Sequence, residues 1–148
     1  MNLTMFITGF IASAGFGFLF NVPRRAVFAG GIAGMTGWVI YDVLLSVVQL
    51  NIVVSTAAAA FAIAVLSQLF ARVYKMPVII FSAAGIIPLV PGGVAYNTMR
   101  RFVSNDYYAA VELAAQVFLI SGAIAFGLVL ANVFQPLFKP KHEAERRE

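Results

Sequence analysis

The stretch from Ser82 to Asn97 reads SAAGIIPLVPGGVAYN and places two prolines, three residues apart, and a glycine pair inside an apolar segment. Each proline removes a backbone N–H and clashes with the preceding helical turn, whereas glycine tolerates backbone angles that other residues avoid. We therefore predict a helix that stops near Ile87 and restarts near Pro91. One interpretation is a simple proline kink. The other is a broken helix whose freed backbone groups face protein or a watery cavity, as they do in membrane transport sites.

The rest of the chain has the composition of a membrane protein. Of its 148 residues 61% are hydrophobic and 11% are charged, whereas a soluble domain carries about 25% charged residues. Met1–Pro23 and Met76–Met99 contain no charged residue, and Ala26–Ala71 and Tyr107–Phe138 contain one each. A membrane-spanning helix needs about 20 apolar residues. The sequence therefore predicts an all-α integral membrane protein with about five transmembrane helices.

The charge-free and charge-poor segments set the bounds of the spans. Residues 1–138 are predicted to form a single transmembrane helical domain, and 139–148 a charged cytoplasmic tail. The first span has no positive n-region before it, so we expect it to be retained and not cleaved as a signal peptide. The fourth span is expected to break at the Pro-x-x-Pro-Gly-Gly motif. Gln49 and Asn51 are expected to mark a tight, uncharged turn between the second span and the third. The predicted spans are Leu3–Phe20, Ala26–Leu50, Ile52–Ala71, Pro77–Phe102 and Ala109–Phe134.

The basic residues predict the orientation. With five crossings, only Arg100 and Arg101 fall on one side, and the positive-inside rule puts the other eight basic residues in the cytoplasm. The N-terminus is then outside and the C-terminus inside. If the fourth span were a re-entrant hairpin, Arg100 and Arg101 would return to the cytoplasm and the tail would lie outside. We predict the five crossings. The eight residues are Arg24, Arg25, Arg72, Lys75, Lys139, Lys141, Arg146 and Arg147.

Small residues recur every four positions in the second span. Gly30 and Gly34 form one row, and Ala29, Ala33 and Gly37 form another. Such rows let helix backbones approach closely in lipid. They fit helix packing within this chain and a seam for another subunit equally well.

The half-helix after the break displays groups that could hold a small solute. Gly93, Tyr96, Asn97 and Arg100 share one face by their spacing, and a helix N-terminus near Gly92 would offer free N–H groups and partial positive charge. Together they suit a substrate with a carboxylate and further polar groups. Arg100 could instead be an interfacial charge that anchors the span. The candidate substrate-binding residues are Pro88, Pro91, Gly92, Gly93, Tyr96, Asn97 and Arg100.

Asp42 is the candidate for ion coupling. It lies about eight residues before the predicted end of its span, hence about 12 Å inside at 1.5 Å per residue, and an intramembrane carboxylate is a functional hypothesis by default. It could carry a proton, pair with an arginine, or lie near the surface. Glu112 is only a few residues inside the last span, and we expect an interfacial role for it.

Several functions are not expected. The chain has no cysteine, and its single histidine, His142, lies in the charged tail, so we expect no metal site and no cofactor. No catalytic constellation is present, so we expect no enzyme. The basic residues sit at span ends, as the positive-inside rule predicts, and we expect no nucleic-acid partner.

Two motifs resemble a known transporter family. FNVPxRA at residues 20–26 and IPLVPGxxAY at residues 87–96 look like the bacterial threonine/serine exporter family, in its small-subunit type. Members of that type work in two-subunit exporters, including one for dicarboxylates such as succinate. The resemblance implies a subunit of a secondary exporter in the bacterial cytoplasmic membrane, with a larger family subunit as partner and a small carboxylate as substrate. Pro88, Pro91, Gly92 and Tyr96 match motif positions, whereas Asp42 matches none.

Two other functions remain open beside the exporter subunit. The chain could be a non-transporting membrane scaffold that stabilises a partner transporter, although a scaffold has no need of a broken helix. It could also be a self-sufficient transporter that works as a homo-oligomer around a shared pathway.

Overall fold

The computed structural model describes residues 3–134, and these residues form a bundle of helices. Within that range the structure contains no strand, so the predicted all-α fold is confirmed. The predicted tail at 139–148 lies outside the described residues. A 3₁₀ turn at Ile87–Leu89 joins the fourth helix to the fifth. The helices are α1 (Leu3–Leu19), α2 (Arg24–Ser46), α3 (Ile52–Tyr74), α4 (Val78–Ile86), α5 (Gly92–Val103) and α6 (Tyr107–Phe134).

The number of possible membrane spans depends on the bent α4–α5 pair and on the short helix α1. Helices α2, α3 and α6 are long and apolar enough to cross a membrane. Helices α4 and α5 are bent by 52° at their junction, and together they count as one broken span or as a re-entrant loop. Helix α1 has 17 residues, about 26 Å at 1.5 Å per residue, and is shorter than a hydrocarbon core of about 30 Å. A fifth crossing therefore requires α1 to span as well.

The turn between α2 and α3 corrects one predicted bound. Helix α2 ends at Ser46 and not at Leu50, because Gln49 adopts a left-handed backbone (φ 56°) and the Leu50 N–H donates to the Leu44 carbonyl at 3.0 Å. The Asn51 side chain then accepts a hydrogen bond from the next helix at 2.9 Å and caps α3. The two polar residues predicted to mark this turn, Gln49 and Asn51, therefore form it.

The small residues of α2 are buried against other helices of the same chain. Ser13 of α1 occupies the space that a side chain at Gly34 would need, and Ile63 of α3 does the same at Gly37. A Cβ on Gly30 would lie 3.2 Å from the Ala84 side chain of α4. The glycine and alanine rows thus serve packing within the chain, where close backbone approach replaces hydrophobic association in lipid.

A polar contact joins the later parts of α3 and α6. Gln68 is buried, and its amide donates to the Ala131 carbonyl at 3.1 Å and to the Asn132 side-chain oxygen at 3.2 Å. A buried amide without partners is costly in an apolar environment, so these bonds fix how the two helices face each other.

Four basic residues share one end of the bundle. Arg24 and Arg25 begin α2, Arg72 lies in the last turn of α3, and Lys75 follows it. Because residues 47–51 join α2 to α3 as a tight hairpin, the start of α2 and the end of α3 lie together.

Gly127→Ala should destabilise the bundle, because a Cβ there would lie 2.5 Å from the Ala57 carbonyl oxygen and 2.9 Å from the Ala60 side chain. Backbone atoms cannot move away cheaply, and overpacking costs about 1–3 kcal/mol. Gly122→Ala, on the same helix, is the matched control, since a Cβ there meets nothing within 4 Å. Thermal unfolding of both variants in detergent measures the difference. Equal midpoints for the two variants would contradict this packing of α6 on α3.

Candidate functional site

A pocket of about 200 Å³ lies at the junction of α4 and α5. Residues from α2, α3 and α6 also line it, so the broken segment faces protein at this point. Of the described residues that line it, none is charged. They are Trp38, Tyr41, Ile52, Thr56, Pro88, Leu89, Val90, Pro91, Gly93, Val94 and Ile120.

The prolines explain why the helix changes direction here. Pro88 has no N–H to donate to the Ala84 carbonyl, and Pro91 has none for the Ile87 carbonyl. A 3₁₀ turn compensates at the second position, because the Val90 N–H donates to the Ile87 carbonyl at 3.3 Å. Helix α5 then begins at Gly92 with a different axis direction.

The start of α5 leaves backbone donors beside the pocket. The Gly92 N–H donates to the Val90 carbonyl at 2.7 Å, and the first helical bond runs from the Ala95 N–H to the Pro91 carbonyl at 2.9 Å. Between them, Gly93 and Val94 occupy the first turn, where N–H groups have no acceptor within the helix. No side chain caps this N-terminus among the described residues. Both residues line the pocket, which therefore has two N–H donors at its edge.

Aromatic and hydroxyl groups form the opposite side. The rings of Trp38 and Tyr41 stack with centroids 5.5 Å apart at 27°. The Thr56 hydroxyl donates to the Ile52 carbonyl at 2.7 Å, which leaves its oxygen able to accept. The pocket thus combines donors on α5, a hydroxyl on α3 and an aromatic side on α2.

The pocket lies between the middle of α2 and the end of the bundle that carries the α2–α3 turn. Trp38 is eight residues before the end of α2, and Thr56 is four residues after the start of α3. At 1.5 Å per residue these positions are about 12 Å and about 6 Å from the α2–α3 turn. The 3₁₀ turn continues from the end of α4 and lies beside the first turns of α3. The helix axis changes direction after this turn.

The structure divides the predicted substrate-binding residues into two groups. Pro88, Pro91 and Gly93 line the pocket. The other four are not among its lining residues and are exposed on α5, which packs against α6; Tyr96, for example, is 68% exposed. The four are Gly92, Tyr96, Asn97 and Arg100.

Asp42 follows Tyr41 on α2 and is half-buried, but it does not line the pocket. Because α2 ends at Ser46, Asp42 lies four residues from the helix end, about 6 Å and not the predicted 12 Å. Glu112 is exposed, in the second turn of α6. Over residues 3–134 no group of three or more potential metal ligands occurs.

Sequence reasoning missed Trp38, Tyr41, Thr56 and Ile120 as pocket residues. The available signal was the pair Trp38 and Tyr41, which are three residues apart and therefore lie on one face of the second span. Nothing local in Thr56 or Ile120 distinguishes them from ordinary packing residues.

Comparison with known proteins identifies the family. The profile described as "Threonine/Serine exporter, ThrE" matches residues 5–134, so the chain belongs to the threonine/serine exporter family. It is 32% identical over 138 residues to an uncharacterized protein of Haemophilus influenzae, covering 88% of this chain and 46% of that protein. It is 28% identical over 126 residues to a threonine/serine exporter of Corynebacterium glutamicum, covering 85% of this chain and 25% of that protein.

The chain thus spans less than half the length of these two curated relatives. No solved structure matches it significantly.

Replacing both prolines, Pro88→Ala and Pro91→Ala, should straighten the α4–α5 junction, because the restored N–H groups can complete the helical bonds. The chain has no cysteine, so spin labels can be placed at the exposed positions Ile79 and Met99 alone. In a straight helix the backbones of Ile79 and Met99 would be about 30 Å apart. The 52° bend shortens this backbone-to-backbone distance by roughly a tenth.

The label-to-label distance, measured by pulsed electron resonance, should increase in the double variant. An unchanged distance would mean that packing and not proline sets the bend. Labelled protein with both prolines intact serves as the reference.

Proposed function

We propose that this chain is one subunit of a bacterial secondary exporter of small polar carboxylates, namely threonine and serine or a dicarboxylate such as succinate. It works in the cytoplasmic membrane together with a larger subunit of the same family. Family membership supports export of small polar compounds. The single observation that carries the proposal for this chain is the pocket at the α4–α5 junction, with backbone N–H groups at its edge.

The size and chemistry of the pocket suit such a solute. About 200 Å³ is below the range of about 300–1,000 Å³ for drug-sized ligands, and it fits a molecule of few atoms. A carboxylate would lie at the α5 N-terminus, where N–H groups and the helix dipole favour negative charge. The hydroxyls of Tyr41 and Thr56 are available to the remaining polar groups.

The exposed polar face of α5 supports a partner. Tyr96, Asn97 and Arg100 are exposed on a helix that packs mainly on α6. Polar and charged side chains are costly against lipid and face protein or water instead. We propose that the larger subunit covers this face and brings these residues, together with Gly92, to the substrate pathway. Both relatives contain further sequence outside the part that this chain matches, which supports a second family part beside this one.

The proposed topology follows the charge distribution. Arg24, Arg25, Arg72 and Lys75 share one end of the bundle, which the positive-inside rule assigns to the cytoplasm. With α1 and the bent α4–α5 pair each crossing once, the N-terminus is outside and the C-terminus inside. A reporter fused after residue 148 and active only on the outer side would overturn this topology.

Asp42 is the proposed ion-coupling group. Asp42 is the next residue after Tyr41, which lines the pocket. A proton on the Asp42 carboxylate could therefore alter the pocket through Tyr41. Asp42→Asn should remove the dependence of export on the proton gradient while the protein remains folded and assembled. Export is measured in vesicles with and without a gradient. Unchanged gradient dependence would return Asp42 to a structural role.

Adjacent glycines provide a matched test of the pocket. Gly93 lines it and Gly92 does not, and a Cβ on either meets nothing within 4 Å, so neither glycine is needed for close packing of the backbone. Gly93→Leu should lower export of L-threonine, L-serine or succinate by about tenfold, equivalent to about 1.4 kcal/mol. Gly92→Leu should have a smaller effect. Flux is measured in liposomes containing the chain together with the larger subunit.

The same assay separates the alternatives. Equal flux by both variants and the unsubstituted protein would sink the assignment of the pocket and favour a scaffold. Full export by the chain without the larger subunit would indicate a self-sufficient homo-oligomer.

A further inference from the structure

A second pocket lies on the other side of Trp38. It has a volume of about 170 Å³ and is lined by Thr8, Gly9, Ala12, Trp38 and Pro88. Only Trp38 and Pro88 line both this pocket and the one at the helix junction. The indole therefore borders open space at two places, at the helix junction and beside α1.

Helix α1 holds the base of the Trp38 side chain. A Cβ on Gly9 would lie 3.1 Å from the Trp38 Cβ and 3.4 Å from its Cδ1. The absence of a side chain at Gly9 lets the two backbones approach this closely, so the root of the indole is fixed while the ring borders both pockets. On the junction side the ring rests on Tyr41 in a stacked arrangement, an attraction of about 0.5–1.5 kcal/mol.

The second pocket is large enough for an aromatic ring. A protein cavity of about 150 Å³ lined by apolar side chains binds benzene, and this pocket holds about 170 Å³. Moving the indole into it would enlarge the junction pocket by the space that the ring leaves. Pro88 stays between them as a rigid part of the boundary, because its ring fixes the backbone angle φ.

We propose that Trp38 is a movable side of the substrate pocket, and that displacement of its indole into the space beside Gly9 and Ala12 sets the largest solute that the pocket accepts. This inference rests on the proposed export function. It assigns to Trp38 a specificity-determining role that neither the family motifs nor the predicted site residues include. Serine would bind with the indole on Tyr41, whereas threonine, with one more methyl group, would bind with the indole displaced.

The first test reads Trp38 directly and needs no transport. Trp38 is the only tryptophan in the chain, so 5-fluorotryptophan gives a single ¹⁹F probe in the full-length protein. Relaxation dispersion should show exchange between two environments. Ala12→Leu, which fills the second pocket, should suppress this exchange, and Ala115→Leu, the same change at an exposed position of α6, should preserve it. Absence of exchange in the unsubstituted protein, or equal exchange in both variants, would overturn the proposal.

The second test concerns specificity. With the larger subunit present, Ala12→Leu should raise the half-saturating concentration of L-threonine over that of L-serine by about fourfold, since one methyl group corresponds to about 0.8 kcal/mol of burial. Ala115→Leu should leave the ratio unchanged. An unchanged ratio in Ala12→Leu would overturn the inference while the exporter function stands. If the unsubstituted protein exports succinate and neither amino acid, the specificity inference fails while the exporter function stands. If it exports none of the three solutes, the proposed function fails, and the ¹⁹F exchange still decides whether Trp38 moves.

Discussion

Pro88 and Pro91 lack the backbone N–H groups that would complete two helical hydrogen bonds, in a segment that contains no charged residue. The surrounding helices pack around the carbonyl groups that these bonds would have satisfied. In an apolar environment an unpaired carbonyl is costly, so irregular backbone is stable only against protein or water. One carbonyl, that of Ile87, is recovered by the 3₁₀ turn. The position that loses its helical donor to Pro88 is Ala84, which is buried against Gly30. The carbonyl that Pro88 leaves without its helical donor therefore belongs to a buried residue of the bundle.

Helix α2 is the centre of the packing around the irregular segment. It packs against α1, α3 and α4, and its glycines let those helices approach to backbone distance. A Cβ on Gly85 of α4 would lie 2.8 Å from Ile63 and 3.6 Å from the Gly34 nitrogen. The first half of the broken pair is thus fixed by close contacts on two sides, whereas α5 packs on α6 and exposes its polar face. The bend coincides with the change from a tightly packed segment to a loosely covered one, which suits a site completed by a second protein.

The features that the sequence could predict are those set by local chemistry. The proline spacing predicted where α4 would end, and Gln49 and Asn51 predicted the turn after α2, because left-handed backbone and N-capping are properties of single residues. The shared face of Gly93, Tyr96, Asn97 and Arg100 also followed from helical spacing. The direction of that face did not, since it depends on which side of α5 meets α6. For the same reason Trp38 and Thr56 were not assigned to the pocket, and the depth of Asp42 was overestimated when the end of α2 was placed four residues too late.

A pocket without charged side chains has consequences for a transporter, which must release what it binds. Backbone N–H groups of Gly93 and Val94 can hold a carboxylate without the strong, slowly broken attraction of a paired arginine. Arg100 lies seven residues after Gly93, about 10 Å along the helix, and in water at 0.1 M salt a charge at that distance is largely screened. If a larger subunit covered the outer face of α5, the lower dielectric would strengthen the attraction of Arg100 for an anion in the pocket several-fold. Coverage of α5 would then control the affinity of the pocket for the anion as well as access to the pocket. Movement of one subunit against the other could alternate tight and weak binding while the contacts between the anion and the pocket stay the same.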